Sequence, residues 1–525
     1  MAKYIVRRLL FGVFSAVVVV AIVMVMIYGL LNRDLVFAED TNYTKQTNNT
    51  RIAYRYQKWE EYGYLDYVTY ADYMNDLARR GEIDETVRAE AVSIGRTEED
   101  DSELTAQYVE QFRAYYESQG YTVQRLKAVL SRGRVATGGQ QMLFAYRDIP
   151  LYKRMLNYFT SLLFVDNIHY VPEEKDIGER GITFTLHDPL YGGETFSPAI
   201  IGNGTQHKYL LYFDSQFPYI HQNIATIKLG TSYSVNMGVD VFTTMTQSQG
   251  AYTQSMITYP TGLTENSADN LHSAVYLADS RENSSLLRAR FTDDYTNVTT
   301  VRSGLSKMGY SFVIGIIAVC MAYVLGLPIG LTMALRKDKL IDKLGTIYII
   351  FIIAVPSLAY IFLFKAIGGS VFKLPTTFEL NSATHLMYVL PIVSLALPSV
   401  ANLMKWMRRY MIDQMNSDYV KFARASGLTE GEIFTRHIWK NALIPIVHGI
   451  PGSVLGALTG AIITERVYVV PGAGNLLTQA INRYDNSVIV GVTLFYAVLS
   501  VVSIILGDIL MSLVDPRISF TTKDR

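Results

Sequence analysis

Residues 418–445 have the composition and spacing of an element that docks on another protein. The sequence predicts a short helix ending before Gly427, because glycine readily adopts the left-handed conformation that terminates helices. Thr429 followed by Glu432 is the pattern of a capping box, which starts a second helix. Basic residues surround this turn together with three apolar ones, which are Leu428, Ile433 and Phe434. Such a helix pair suits a groove on a soluble partner, whereas a basic loop that only sets topology would not need a capped helix.

The sequence lacks the motifs of an enzyme with its own energy source or catalytic centre. It has no G-x-x-x-x-G-K-[ST] phosphate loop, no H-E-x-x-H zinc motif and no G-x-S-x-G nucleophile elbow. Its eight histidines are scattered, and its one cysteine, Cys320, excludes a metal site built from several cysteines. We therefore predict no catalytic residue, metal or cofactor in this chain. Uphill transport would need a partner or an ion gradient as its energy source.

The composition indicates a membrane protein rather than a soluble enzyme or a nucleic-acid binder. Of its 525 residues, 50% are hydrophobic and only 18% are charged, with a formal net charge of zero. A bilayer-spanning helix needs about 20 predominantly apolar residues. Six stretches meet that standard and predict an all-α transmembrane domain of six helices. They are residues 9–31, 308–335, 344–364, 380–404, 441–464 and 486–514.

The basic residues predict the orientation of these spans. Loops on the side of the N-terminus hold 17 Lys and Arg, whereas the two short loops on the other side hold four. By the positive-inside rule, both termini are cytoplasmic and the long segment 32–307 is extracellular. The predicted parts are residues 1–31 with the first helix, the extracellular domain 32–307, and the transmembrane core 308–525 with a cytoplasmic loop at 405–445.

Prolines and one acid within the predicted spans favour a helix bundle with a pathway over a passive anchor. Pro356 lies in the middle of the third span, where a proline frees a carbonyl that needs another partner. Asp508 is the one acid within the six stretches, and an intramembrane carboxylate is a functional candidate unless it pairs near the interface. Asp508 lies only seven residues before Asp515, so it can reach the inner interface or an adjacent basic loop, and this favours a paired residue over a pathway residue. Our candidate pathway or gating residues are Pro356, Pro471, Gly472 and Asp508.

The segment 32–307 is long enough for a folded domain and is acidic, with 26 Lys and Arg against 35 Asp and Glu. Its part from 51 to 134 has a largely helical pattern. From 181 to 300 the composition shifts to Thr, Tyr, Phe and Gly, and Ile182 and Phe184 alternate with threonines as in a strand. We predict an α+β domain inserted between the first and second helices.

The predicted docking element resembles the cytoplasmic loop of ABC importer permeases, specifically the dipeptide/oligopeptide branch. The family's alanine and glycine, separated by three residues, are found here as Ala423 and Gly427. The peptide branch continues with an Arg-His pair, matched by Arg436 and His437. It then has an Asn-Ala-Leu-Ile-Pro run, matched by residues 441–445.

The resemblance has departures and further matches. Lys421 and Phe422 stand where the general importer pattern has Glu-Ala. Other similar segments are residues 326–330, 465–474 and the ending Asp515-Pro-Arg517, with patchier similarity at 150–158 and 229–233. The rest of the segment 32–307 looks like large insertions relative to smaller family members.

The resemblance implies the permease subunit of an importer for oligopeptides in a bacterial plasma membrane. It implies a heterodimer with a second permease, two cytoplasmic ATPases that hold ATP and Mg, an extracellular substrate-binding lipoprotein, and contact with membrane lipid. The ATPase-coupling residues would be Ala423, Gly427, Leu428, Glu432, Arg436, His437, Asn441 and Pro445.

Two other classes of function remain open from the sequence. The same architecture could import nickel or another small solute, since pore-lining residues cannot be chosen from one sequence. A membrane receptor without transport activity is the second alternative, and it would have no need of the capped helix pair.

Overall fold

The structure is a computed structural model. The residues that it describes are 2–46, 48–94, 103–127, 130–131, 134–135, 141–165, 181–187, 194, 196, 198–203, 209–213, 218–220, 225–246, 249, 252–253, 255–258, 264–267, 301–302, 305–379 and 384–514. The ending Asp515-Pro-Arg517, part of the family resemblance, lies outside the described residues.

The helices are numbered in chain order. They are α1 (Ala2–Leu30), α2 (Thr41–Lys45), α3 (Asn48–Glu61), α4 (Tyr70–Arg79), α5 (Glu85–Ile94), α6 (Glu103–Ser118), α7 (Leu151–Ser161), α8 (Val241–Thr246), α9 (Lys307–Leu335), α10 (Leu340–Ala354), α11 (Ser357–Ser370), α12 (Val389–Met415), α13 (Asp418–Ala425), α14 (Glu430–Ile433), α15 (Trp439–His448), α16 (Ile450–Tyr468), α17 (Ala473–Asn482) and α18 (Asn486–Val514). Short 3₁₀ turns form at Arg33–Phe37 and His385–Tyr388, and a π-helical turn at Phe434–Ile438.

Among the described residues, four helices are long and apolar enough to cross a membrane by themselves: α1, α9, α12 with the 3₁₀ turn before it, and α18. Two bent pairs, α10 with α11 and α14–α15 with α16, meet the same standard if each pair is one span. Exposed apolar side chains such as Phe14 and Leu10 cover α1, as expected of a helix surrounded by lipid. The chain is therefore a helical, multi-pass membrane protein.

The predicted third span is not one straight helix. The axes of α10 and α11 differ by 113°, and Pro356 lies at the break, where its carbonyl accepts from the amide of Ala359. Proline lacks the amide hydrogen needed to continue α10 and disfavours helical backbone at Val355, which is extended here (ψ 130°). Pro356 therefore separates two helices completely, which is more than the freed carbonyl expected from the sequence.

The predicted cytoplasmic loop 405–445 is largely helical. α12 continues eleven residues past the predicted end of the fourth span, to Met415. The capped second helix continues through the π-helical turn into α15 and ends at His448. The helix and the apolar run end at different residues because the first charged residue marks only where the apolar run ends.

Two glycines let α9 and α12 approach closely. A Cβ on Gly330 would lie 2.8 Å from the carbonyl oxygen of Met404, and one on Gly326 would lie 2.9 Å from Cβ of Leu403. Any larger side chain would push the helices apart, because both distances are below contact. The 326–330 segment of the family resemblance is thus the surface where two core helices touch.

The residues 32–307, which we call the intervening segment, contain short helices and antiparallel sheets. The strands are β1 (Leu65–Thr69), β2 (Thr122–Arg125), β3 (Leu130–Ser131), β4 (Arg134–Val135), β5 (Leu143–Asp148), β6 (Leu163–Val165), β7 (Gly181–Thr185), β8 (Ala199–Asn203), β9 (Tyr209–Phe213), β10 (Pro218–Ile220), β11 (Ala225–Ile227), β12 (Tyr252–Thr253), β13 (Ser255–Thr258), β14 (Thr264–Ser267) and β15 (Val301–Arg302). The described part of this segment has the mixed helix and strand content that the sequence predicts.

One sheet of the intervening segment has a well-packed core. β5 is its central strand, with β1 and β2 antiparallel on either side. Phe144 on β5 is fully buried with Trp59 of α3, while Tyr70 and Met74 of α4 are buried on the other face. The helical spacing of Tyr70 and Met74 in the sequence is therefore explained by core packing.

A second sheet has the order β10-β9-β8-β7. The alternation of Ile182 and Phe184 correctly predicted the strand β7, but both side chains are exposed, Phe184 to 65%.

Candidate functional site

Gly427 joins α13 to α14 in a conformation that favours glycine. Its φ is +83°, and its amide donates to the carbonyl of Arg424 at the end of α13. No atom lies within 4 Å of where a Cβ would be, so the requirement is for backbone conformation and not for space. We call residues 418–433, which comprise α13, this turn and α14, the Gly427 helix pair.

The second helix of the pair begins with the capping box that the sequence predicts. The amide of Glu432 donates to Oγ1 of Thr429 (3.4 Å), and the amide of Thr429 donates to Oε2 of Glu432 (3.0 Å). Arg424 of α13 also donates two hydrogen bonds to Glu430 of α14, at 2.5 and 3.0 Å. The pair is thus fixed by contacts across the turn as well as within each helix.

Most apolar residues in the pair, and Phe434 just after it, face the protein. Ile433 and Val420 are fully buried and pack with Met407 and Met411 of α12. Leu428 and Phe434 are half-buried against the same cluster. The sequence analysis named Leu428, Ile433 and Phe434 as the apolar residues of the docking element, and all three pack against the cluster that includes α12. They anchor the pair on α12.

The outward surface of the pair has one large apolar side chain among charged ones. Phe422 is 75% exposed, and it lies between Lys421 and Arg424. Lys421 donates to Asp418 at 2.9 Å, and this hydrogen bond lowers the pKa of the Asp418 carboxyl. Exposed aromatic side chains are unusual on a protein surface and are frequent at the centre of docking surfaces.

Tyr419 brings several predicted site residues together. Its hydroxyl donates to Oε1 of Gln414 and to the carbonyl of His437 (3.3 Å), and it accepts from Nδ2 of Asn441 (3.1 Å). Ala423, which lies on α13 with Tyr419, is buried. Gly427, Leu428 and Glu432 lie at the turn and in the second helix of the pair described above. Arg436 is exposed, and Pro445 lies within α15.

The four candidate pathway residues do not form one site. Pro356 lies at the α10–α11 break and Gly472 at the start of α17. Asp508, on α18, accepts from the hydroxyl of Tyr4 at 2.9 Å and pairs with Arg8 at 3.3 Å. The structure thus supports the interpretation of Asp508 as a paired residue, with its partners on α1 instead of on a basic loop.

The sequence did not predict a buried carboxylate that contacts the start of α17. Glu465 is 1% exposed and lies within α16, one residue beyond the predicted end of the fifth span. Its Oε1 accepts from Ser311 of α9 at 2.5 Å, and its Oε2 accepts from the amide of Asn475 at 2.9 Å. A Cβ on Gly472 would lie 2.3 Å from this carboxylate. Asp508 is therefore not the only acid of the apolar helices.

Asp485, just beyond the other end of α17, was also missed. It is fully buried, and its Oδ2 accepts from Oγ of Ser232 (2.6 Å) and from the backbone amides of residues 233–235 (2.9–3.1 Å). Burial raises the pKa of Tyr233 well above its usual value, so the phenol stays neutral. Through its hydrogen bonds to residues 232–235, the Asp485 carboxylate joins the intervening segment to the start of α18.

The chain matches known proteins along its whole length. Residues 326–520 match the family described as "Binding-protein-dependent transport system inner membrane component". The oligopeptide transport system permease protein AmiC of Streptococcus pneumoniae is 34% identical, over 100% of this chain and 99% of AmiC. The chain belongs to this family of transport permeases. The permease is also 31% identical to the dipeptide transport system permease protein DppB of Lactococcus lactis, over 43% of its own length and 73% of DppB.

These relatives confirm the predicted dipeptide/oligopeptide permease branch. A solved amino acid ABC transporter superposes on 40% of the permease and 92% of its own chain, with a TM-score of 0.32 and 18% identity. The DppB match spans 230 residues, too few to include both the intervening segment and the helices from α9 onward. The AmiC match includes both, so the permease shares its long intervening segment with AmiC.

Proposed function

We propose that the permease is one of two transmembrane subunits of an ATP-driven importer of oligopeptides. The observation that carries this proposal is the end-to-end identity of 34% with an oligopeptide transport permease. Its partners would be a second permease, two cytoplasmic ATPases that hold ATP and Mg, and an extracellular substrate-binding lipoprotein. The permease itself would carry no ATPase site, since its sequence has no phosphate loop.

We further propose that the Gly427 helix pair couples the ATPases to the spans. Its exposed Phe422, together with the exposed Arg436 in the π-helical turn that follows the pair, suits contact with a soluble partner. Its buried Ile433 packs on α12, and its second helix is continuous with α15. A displacement of the pair would therefore be transmitted to α12 through packed side chains and to α15 through continuous helix.

The proposed topology has six spans, with each bent helix pair crossing once. Both termini and the Gly427 helix pair would then be cytoplasmic, and the intervening segment extracellular, in a bacterial plasma membrane. The excess of Lys and Arg on the proposed inner side supports this orientation. The intervening segment would receive the binding protein or its cargo, because it is placed where cargo arrives and is attached to α18 through Asp485.

Reconstituted vesicles test the proposal. The permease with its second permease, both ATPases and the binding protein should accumulate labelled oligopeptide only when ATP is present. Nickel uptake without peptide uptake would support the small-solute alternative instead. Purification without any ATPase, combined with no uptake, would support a receptor that does not transport.

A further inference from the structure

A cavity of about 480 Å³ lies between α9, α12 and α16. Its polar lining groups are Tyr323 of α9, Ser399 and Asn402 of α12, and Ser453 of α16. Glycines and apolar side chains form the remainder, and among the described residues no acid, lysine, arginine or histidine lines the cavity. We call this space the Asn402 groove. Its volume falls in the range of small-molecule sites.

The Asn402 groove lies deep in the membrane-spanning part. Tyr323 is sixteen residues from Lys307 and thirteen from Arg336, the charged residues that bound its apolar run. At a rise of about 1.5 Å per residue, it lies roughly 20 Å or more from each. Ser453 is similarly placed, thirteen residues after Lys440 and twelve before Glu465. Both walls of the groove therefore place hydroxyl groups near the middle of the bilayer.

The four polar side chains of the groove differ in their hydrogen bonding. The hydroxyls of Tyr323 and Ser453 bond each other at 3.1 Å. The side chains of Ser399 and Asn402 make no hydrogen bond to the described residues, and Asn402 is exposed. An amide facing hydrocarbon would cost several kcal/mol. This surface therefore faces something polar and not lipid.

The floor of the groove is bare backbone. In the part of the chain that the structure describes, no atom lies within 4 Å of where a Cβ would be on Gly452 or Gly456, so neither glycine is there to let another described helix approach. Beside them, α15 and α16 meet at a bend of 41° next to Gly449. The bend and the missing side chains together leave an open channel along α16.

We propose that the Asn402 groove binds backbone amides of the peptide cargo during its passage. This inference rests on the proposed function. An asparagine amide offers a donor and an acceptor, which match the carbonyl and amide of one peptide unit. Hydroxyl groups accept and donate in the same way. A lining without charge neither traps acidic or basic cargo side chains nor repels them, so the groove recognises peptide backbone and not particular residues.

Substitution of Asn402 tests this proposal in vesicles that contain the whole importer. Asn402→Leu should lower peptide uptake about tenfold, whereas Asn402→Gln, which keeps the amide, should restore most of it. Ile350→Leu, at an exposed apolar position of α10 outside the groove, should transport as the unchanged importer does. Equal uptake by Asn402→Leu and the unchanged importer would overturn the proposal.

Cargo with N-methylated backbone amides separates binding from a structural effect. The unchanged importer should transport such peptides more slowly than the parent peptides, and Asn402→Leu should show a smaller difference between the two. If the N-methyl penalty is the same in both proteins, the Asn402 amide does not contact the backbone and the proposal is wrong.

Photocrosslinking identifies the occupant of the groove directly. A photoreactive residue at position 402 should crosslink labelled peptide during turnover, and one at position 350 should not. Crosslinks from 402 only to the second permease or to lipid would overturn the proposal. If the unchanged importer shows no peptide uptake, both the proposed function and the groove proposal are wrong. If it takes up peptide but position 402 gives no crosslink to it, only the groove proposal is wrong.

Discussion

Two buried carboxylates, Glu465 and Asp485, lie near the two ends of the same short helix, α17. Glu465 connects its start to α9 through Ser311, and Asp485 connects the turn after it to the intervening segment through Ser232. Buried carboxylates are stable only when hydrogen bonds replace lost water, and each has several. These side chains fix α17 between the membrane spans and the intervening segment.

Glu465→Ala should destabilise the permease. It removes the acceptor for the amide of Asn475 and for Ser311, and each buried donor left unpaired costs about 1–3 kcal/mol. Thermal unfolding in detergent should show a lower midpoint. Glu465→Gln is the control, since its amide oxygen can still accept one of these bonds. A midpoint that is unchanged in Glu465→Ala would show that the network contributes nothing to stability.

Asp485→Ala should loosen the intervening segment. Hydrogen exchange at the amides of residues 233–235 should become faster, because their common acceptor is gone. Asp148→Ala breaks an exposed ion pair with Arg33, which is worth at most about 1 kcal/mol, and serves as the matched control. Equal exchange in both variants would exclude Asp485 as the main attachment.

At the scale of elements, the sequence predicted what depends on local chemistry. The capping box at Thr429, the left-handed turn at Gly427 and the bounds of α18 are all as predicted. It did not predict the burial of Glu465 or Asp485, because their partners lie 154 and 253 residues away in the chain. An adjacent arginine also made Glu465 look like part of a solvated loop.

The need for the left-handed turn at Gly427 can be tested by substitution, with a nearby glycine as the control. Gly427→Pro should lower uptake at least tenfold, with ATP hydrolysis retained, because proline cannot adopt a φ of +83°. Gly431→Ala is the control, since Gly431 lies in helical backbone with open space around its Cβ position. The coupling role is wrong if both variants transport equally well.

Charge reversal at Arg436 tests the same surface without changing its backbone. Arg436→Glu should uncouple ATP hydrolysis from uptake, since Arg436 is exposed on the proposed docking face. The amount of permease in the membrane should not change. Normal uptake by this variant would remove Arg436 from the coupling surface.

On the scale of the whole molecule, the intervening segment distinguishes the permease and AmiC from relatives matched over less than half of this chain. Its sheet β1-β5-β2 and helices α3 to α6 form clusters of their own. Tyr64 also bonds Asn486 at the start of α18. The described part of the segment around this sheet is thus in direct contact with the membrane core.

Deletion of residues 48–148, closed by a short linker, should weaken docking of the binding protein. These bounds remove the central strand β5 completely, so that no part of it is left without its sheet. The affinity of the binding protein for the assembled importer is the measurement. An unchanged affinity would reject a docking role for this part of the segment.

The coupling role of the Gly427 helix pair is tested most directly by crosslinking in the assembled importer. Cys320 is the only cysteine of the chain, so Cys320→Ser gives a background in which one new cysteine reports alone. With Phe422→Cys, the account predicts a crosslink to an ATPase subunit, and with Leu386→Cys, before α12 on the proposed outer side, it predicts none. A crosslink from 386, or none from 422, would contradict the account.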